Sequence, residues 1–413
     1  MRQFFKSPEP VAPAILHSTV SMELARRKIV IIGAGIGGLA AALALKARGA
    51  DVTVLEQSES ISEVGAGLQI SPNGVAVLRA LGLEPGLMAT SVRGQAVVLR
   101  DYRAGREVLR LDLAGLAPDQ PYYFVHRADL IDLLADAARA AGVQVRLLQR
   151  VARAEQGEPA RVYLDTGALV EADLVIGADG LHSRTRAALN GEENPFFTGQ
   201  VAWRAVVPNT EGLPAEAQVY MGPGGHLVCY PLRGGELVNI VAIQERRQWA
   251  AEGWHHTDNP DNLRAAFSHY GGMVPDLLGR VETVGLWGLF RHPVAEHWQG
   301  GNLAILGDAA HPTLPFMAQG ANMALEDAWV LAAILAATSD QAEALSRYQE
   351  LRRDRASKVI AAANKNAVNY HLRFPPLRAA AHLGLSLAGR LAPERMLRRF
   401  DWIYGHDVTA TVR

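Results

Sequence analysis

Gly33, Gly35 and Gly38 form a G-x-G-x-x-G spacing directly after a β-branched run at residues 29–32 and before an alanine-rich run at residues 39–48. With 39 glycines in 413 residues the spacing alone is weak, so the strand before it and the helix after it carry the reading. That order suits a dinucleotide. Gly33 permits a tight turn, Gly35 lets the backbone approach a pyrophosphate, and Gly38 allows helix and strand to pack closely. The helix start offers unpaired N–H groups to phosphate charge. A second β-branched run, residues 51–55, ends at Glu56, placed to accept hydrogen bonds from adenosine ribose hydroxyls, with Gln57 beside it. The alternative is a βαβ unit without ligand, in which Glu56 is a solvated strand-end acid.

Two more turns of this kind follow. Asp179-Gly180 closes a buried run at residues 173–176, and Gly307-Asp308 closes another at 303–306, leading through Pro315 and Gly320 into a helical run at 321–337. An NAD dehydrogenase needs little beyond the first unit, and this chain continues differently. His226 and Tyr230 stand four apart in an alternating segment, which puts both on one face of a strand. Imidazole is a suitable base near neutral pH, and a phenol can orient a substrate hydroxyl. A satisfied core histidine beside a core tyrosine is the competing reading. Cys229 falls on the opposite face and reads as a packing residue.

These residues must be positioned by an α/β scaffold. Short β-branched runs alternate with alanine-rich helical runs at 39–48, 130–141 and 321–337, the pattern of buried parallel strands with crossover helices. Residues 202–288 change texture, alternating at 218–220, 226–230 and 237–243, which predicts an inserted antiparallel sheet. No internal repeat is present.

Composition removes several functions. The 41 basic and 42 acidic residues leave a net charge of -1, which argues against a nucleic-acid partner. One cysteine excludes an internal disulfide and any multi-cysteine zinc or iron–sulfur site, and fits a cytoplasmic location. The longest apolar stretch, residues 328–337, falls short of the roughly 20 residues that span a bilayer, so stable membrane insertion is not expected. Residues 1–27, with Pro8, Pro10 and Pro13, lack a signal-peptide run and read as a flexible leader or as sequence ahead of a start at Met22. His255, His256 and His269 lack ligand spacing, so no metal is expected. Arg352, Arg353 and Arg355 read as a solvated or ion-paired helix face, and residues 377–397 as an amphipathic helix on the protein's own surface.

The three glycine turns, in this order and separation, resemble the group A flavoprotein monooxygenases, the single-component FAD-dependent aromatic hydroxylases, over residues 28–370. The resemblance implies FAD as cofactor and NADH or NADPH as co-substrate without a separate nicotinamide domain. Asp179 and Gly180 would then serve both dinucleotides, and Gly307 and Asp308 the ribityl or ribose hydroxyls near the pyrophosphate. Arg127 would approach the flavin chain, a helix-start pairing with Asp129 being its alternative, and Val151 would border the adenine. Gly320, Ala321 and Asn322 would aim N–H groups at the negative charge of reduced flavin, beside Pro315.

The same resemblance implies a cycle in which NAD(P)H reduces FAD, dioxygen gives a flavin C4a-hydroperoxide, and an oxygen passes to an electron-rich ring. His226 and Tyr230 would activate that ring, because the segment from Gly224 to Pro231 resembles the pocket strand of 3-hydroxybenzoate and 6-hydroxynicotinate hydroxylases. Gln69 and Phe316 replace histidines of the 6-hydroxynicotinate enzymes, and Pro315 replaces a glutamine of the 3-hydroxybenzoate enzymes. Salicylate-type enzymes are also similar. Gln69 is expected to touch flavin or substrate, or else to pack in a loop. Trp402 and Tyr404 also resemble the family and are expected to close over the catalytic domain.

The implied fold is a Rossmann-like, three-layer FAD-binding domain (28–95, 126–200 and 291–340) with a mainly antiparallel substrate domain (96–125 and 201–290) and C-terminal helices (341–413). The implied partners are a small aromatic or heteroaromatic acid or phenol and dioxygen, handled by a monomer or homodimer. Two alternatives are an epoxidase or hydroxylase of a larger polyketide-like substrate and a non-catalytic flavin-binding redox sensor.

Overall fold

The computed structural model describes residues 24–61, 66–193, 195–246 and 256–412, so residues 1–23, Met22 among them, and His255 lie outside the described residues. The last residues of the expected leader are packed rather than flexible: Leu24 is buried in the main core and Arg27 donates to Gln341 at 2.9 Å. Its centre is a six-stranded sheet in the order Gln299–Gly300, Leu303–Ile305, Leu174–Gly177, Lys28–Ile32, Asp51–Leu55 and Gln144–Arg146. All neighbours are parallel except the first pair. Lys28–Ile32 and Leu174–Gly177 are apolar on both faces because layers cover both sides. On one side lie the helices Ile36–Lys46, Arg127–Ala140 and Gly320–Ala337. On the other lies a three-stranded antiparallel sheet, Val151–Glu155, Ala160–Leu164 and Leu169–Ala172.

Helix Ile36–Lys46 is almost entirely Ala, Leu and Gly, and ten of its residues are buried. Small side chains let it lie close to helix Gly320–Ala337. A Cβ on Gly37 would come within 2.8 Å of the Leu306 side chain and 3.2 Å of the Ala324 methyl. Helix Gly320–Ala337 is long and apolar enough to cross a membrane, further than residues 328–337 alone suggested, yet 72% of it is buried in the protein. Asn322, Glu326 and Asp327 are buried within it and all have protein partners, which identifies a core helix.

The second body is an eight-stranded mixed sheet. Phe196–Pro208, Glu216–Gly222, Gly225–Leu232, Leu237–Glu245 and Val284–Arg291 pair antiparallel, and Phe196–Pro208 carries this sheet back to before residue 201. Ala96–Asp101 joins Glu216–Gly222 in parallel. A further small sheet, in which Tyr123–His126 lies between Gly67–Ile70 and Val92–Arg93, connects the two bodies.

The C-terminal region departs from the expectation. The run 377–397 is two helices, Pro375–Leu391 and Pro393–Arg398, because Ala392 leaves helical geometry immediately before Pro393. Leu383, Leu387 and Leu391 face outward rather than onto the protein, whereas Leu385 and Met396 pack on the strand Glu107–Asp112. Arg352 and Arg355 form ion pairs with Glu326 and Asp327, but Arg352 is buried, not solvated.

Candidate active site

The C-terminal ends of the parallel strands converge, as ligand sites in open α/β sheets do. Ile32 leads to Gly33, Leu55 to Glu56, Gly177 to Asp179, and Ile305 to Gly307, and all four turns line one cleft of about 1130 Å³. That volume exceeds the usual range for a single drug-sized ligand and has room for a dinucleotide together with a small substrate.

At the first turn Gly33 has φ +102°, and a Cβ there would meet the Ala178 carbonyl oxygen at 2.4 Å. Gly38 packs against the Gly33 carbonyl, where a Cβ would sit at 2.1 Å, and it does not line the cleft. Gly35 differs from both. Its backbone is extended, and a Cβ would meet nothing within 4 Å, so its missing side chain keeps space open at the helix start. Glu56 accepts the Ala34 N–H at 2.8 Å and the Ser58 N–H at 2.9 Å, which holds its carboxylate at the cleft edge beside Gln57. Gln149, Arg150 and Val151 line the same end.

Arg127 starts its helix and lines the cleft, while Asp129, its alternative partner, gives both carboxylate oxygens to Arg233 at 2.6 and 3.0 Å. Asp308 is open to the cleft but otherwise enclosed by protein. Burial pushes its carboxyl pKa up, opposed by the positive influence of His311, Arg127 and His292. Gly307 has φ +60°, and its N–H is held by Asp327 at 3.0 Å.

Of two further expected cofactor residues, Asp179 lines the cleft and Asn322 does not. The Asp179 carboxylate accepts the Ser183 hydroxyl at 2.5 Å, the Arg184 N–H at 2.8 Å and the Thr185 N–H at 3.2 Å. It therefore anchors the start of helix Arg184–Asn190 while lining the cleft beside Gly180. Asn322 is fully buried and does not line the cleft; its side chain accepts the Ser71 N–H at 3.0 Å and donates to the Gln69 and Ala318 carbonyls. Asn322 thus pins strand Gly67–Ile70 to the helix whose first residues, Gly320 and Ala321, do face the cleft. No side chain caps that helix, so its first-turn N–H groups are available to negative charge.

Beyond Pro315 and the helix start the lining becomes aromatic and apolar: Tyr122, Val228, Val241, Ile243, Phe316 and Tyr370. His226 and Tyr230 both enter here from strand Gly225–Leu232, and Cys229 points to the opposite core. Burial holds the His226 pKa well below the ordinary imidazole value, with His371 pushing the same way. Burial raises the Tyr230 phenol, against the charge of Arg204 and a hydrogen bond with Gln69, so Tyr230 is an O–H group at any ordinary pH. Gln69 sits on a strand, not a loop, and accepts the Tyr122 hydroxyl at 2.8 Å. Trp402 and Tyr404, on the short helix Asp401–Tyr404, complete the wall.

Sequence reasoning missed two residues of this end. Arg204 lines the cleft with its guanidinium 4.7 Å from the Trp287 ring centroid, the one-in-two alternation of its strand being the available signal. His371, whose Nε2 lies 2.7 Å from His226 Nδ1, follows a 30-residue helix with no local motif. Among the described residues no cluster suits a metal ion.

Residues 26–363 match the FAD binding domain family. The chain is 34% identical over 391 residues to a 3-amino-4-hydroxybenzoate 2-monooxygenase of Streptomyces platensis, covering 92% of this chain and 96% of that one. The chain belongs to the group A flavoprotein monooxygenases. A 3-hydroxybenzoate 6-hydroxylase of Aquipseudomonas alcaligenes is 32% identical, over 92% of this chain and 98% of its own. In three dimensions the Klebsiella pneumoniae HpxO structure with FAD and uric acid superposes with a TM-score of 0.81 at 28% identity, covering 93% and 99% of the two chains. The cofactor of this flavoprotein monooxygenase is FAD, with NAD(P)H as co-substrate. The residues present fit it: an open approach at Gly35, an acid at Glu56, a carboxylate at Asp308 facing the cleft, and an uncapped helix start at Gly320.

Proposed function

We propose that this monooxygenase hydroxylates a small aromatic acid bearing a ring hydroxyl, with His226 as the base that activates it. The observation that carries this reading is the meeting of His226, Tyr230 and Arg204 at the apolar end of the cleft, beside the turn of Pro315 and Phe316. FAD, when bound and reduced by NAD(P)H, would activate dioxygen, which is the source of the oxygen atom.

The chain's own residues do the rest. Neutral His226 accepts the phenolic proton, which makes the ring electron-rich. Tyr230 stays protonated and orients the same hydroxyl through its O–H. Arg204 takes the substrate carboxylate, because guanidinium matches a planar carboxylate with paired donors. Val241, Ile243 and Phe316 exclude water, which strengthens each polar contact. Gly320 and Ala321 present N–H groups to the cofactor's negative charge. The relatives named as hydroxylases of 3-amino-4-hydroxybenzoate and 3-hydroxybenzoate support a substrate with both a ring hydroxyl and a carboxylate.

The test is a panel of hydroxybenzoates, aminohydroxybenzoates and hydroxynicotinates, scored for stimulated NADH and NADPH oxidation with product analysis. A hydroxylated product from an acid, and none from the same phenol without its carboxylate, is expected. Equal turnover of both removes Arg204 from the account.

A further inference from the structure

The His226 side chain is the inner end of a hydrogen-bonded line that runs out of the cleft. His226 Nδ1 is 2.7 Å from His371 Nε2, His371 Nδ1 is 3.1 Å from Glu245 Oε1, and Glu245 Oε2 receives Arg373 at 2.6 and 2.9 Å. Exposure rises along the line. His226 is 1% exposed, the His371 side chain 2%, Glu245 32% and Arg373 66%. The fold holds the line in place. Glu245 ends strand Leu237–Glu245, which pairs with the strand carrying His226, and the Gly224 N–H binds the His371 carbonyl at 3.2 Å. A Cβ on Gly224 would collide with the Arg373 guanidinium at 2.7 Å, so the hairpin leaves room for that arginine.

The end of the line fixes its direction. An ionised carboxylate only accepts, so His371 must donate Nδ1–H to Glu245. Its Nε2 then carries a lone pair and accepts from His226 Nδ1–H. His226 Nε2 is consequently the basic nitrogen and the one available to a substrate hydroxyl. Burial lowers the pKa of both histidines, that of His371 being opposed by Glu245, so both rings are neutral at neutral pH. Phe316 and Tyr370 pack against the His226 ring, and Met221 and Ile243 stand opposite it in the two neighbouring strands; none of the four brings a charge.

We propose that His371 and Glu245 form a proton relay that sets the tautomer of His226 and carries the substrate's phenolic proton to solvent. The phenol O–H bond breaks as His226 Nε2 gains the proton. His226 passes its Nδ1 proton to His371 Nε2, and His371 releases its own Nδ1 proton to Glu245 and surface water. Three protons move by one site each, with no redox change. His371 touches no substrate; it is a positioning and relay residue. The proposal rests on His226 being the base.

The test uses the oxidised holoenzyme and 4-hydroxy-3-nitrobenzoate, a ring-hydroxyl acid whose phenolate is coloured, at a pH where the free acid is mostly protonated. Rapid mixing follows phenolate colour and, with a pH indicator, proton release. In the wild type both appear in one phase. Gln in His371→Gln keeps a hydrogen bond to His226 but cannot shuttle protons, so phenolate formation should slow at least about tenfold while the Kd moves less than about twofold. Glu245→Gln should slow it in the same sense, which guards against a folding defect in the first variant. Phenolate formed at the wild-type rate in both variants overturns the relay and leaves His226 as base. A probe that stays protonated in the wild type overturns both.

Discussion

Gly307 donates its backbone N–H to Asp327 across 3.0 Å, so the turn that presents Asp308 to the cleft is fixed by a buried carboxylate on the long core helix. Asp327 also meets His311 and receives Arg352 at 2.7 Å, with no side-chain surface left to water. Removing one member of such a network strands the others, at a cost of about 3–5 kcal/mol. Asp327→Asn should therefore lower stability by that order and weaken flavin retention, read by urea unfolding and by the flavin remaining after gel filtration.

The same group sets an acid limit. Its folded-state pKa is lowered to about 2, through His311 and Arg352 winning over burial. A depressed carboxylate contributes stability above its unfolded value, near 3.8, and loses it as pH falls toward 2. Stability measured between pH 4 and pH 2 should fall more steeply in the wild type than in Asp327→Asn.

Gly33 and Gly35 should fail in different ways. Gly33→Ala places a methyl in the Ala178 carbonyl at a left-handed backbone position, so the protein should misfold or precipitate. Gly35→Val meets no protein atom at its Cβ in an extended conformation that any residue adopts. It should fold, with wild-type circular dichroism, and emerge colourless because the side chain occupies the cofactor's approach.

Arg204→Met tests the carboxylate contact. Loss of a charge-assisted hydrogen bond is worth about 1.5–3 kcal/mol, or roughly 10–150-fold. The KM of the acid should rise by that factor, while the Kd of the matching phenol without a carboxylate, read by flavin absorbance, should not change.

The pH profile follows from His226. Only its neutral form is a base, and its pKa lies well below 6.5, so activity should persist below the usual imidazole range and fall at more acidic pH. In His226→Gln the acidic limb of kcat/KM should disappear together with most of the rate.

Much of the cofactor end was legible because each of its turns is local. A strand, a glycine and a helix start are adjacent in sequence, so Gly33, Gly35 and Gly307 announce themselves. Asp179 and Asn322 were harder, since an acid or amide at a helix start serves equally as a helix anchor, and only coordinates show Ser183 and Ser71 as their partners. The substrate end is assembled from distant chain. His226 and His371 are 145 residues apart, and no periodicity in the helix before His371 marks it. Arg204 sits mid-strand in Phe196–Pro208, marked only by the alternation of half-buried and buried positions there.

The most direct measurement is a turnover under isotopically heavy dioxygen with the best acid from the panel, comparing wild type and His226→Ala. The wild type should yield a ring-hydroxylated product carrying one heavy oxygen atom per NAD(P)H consumed. The variant should still be reduced by NAD(P)H but divert its oxygen to hydrogen peroxide. Labelled product formed by His226→Ala at the wild-type rate, or peroxide alone from the wild type with every acid, would contradict the account.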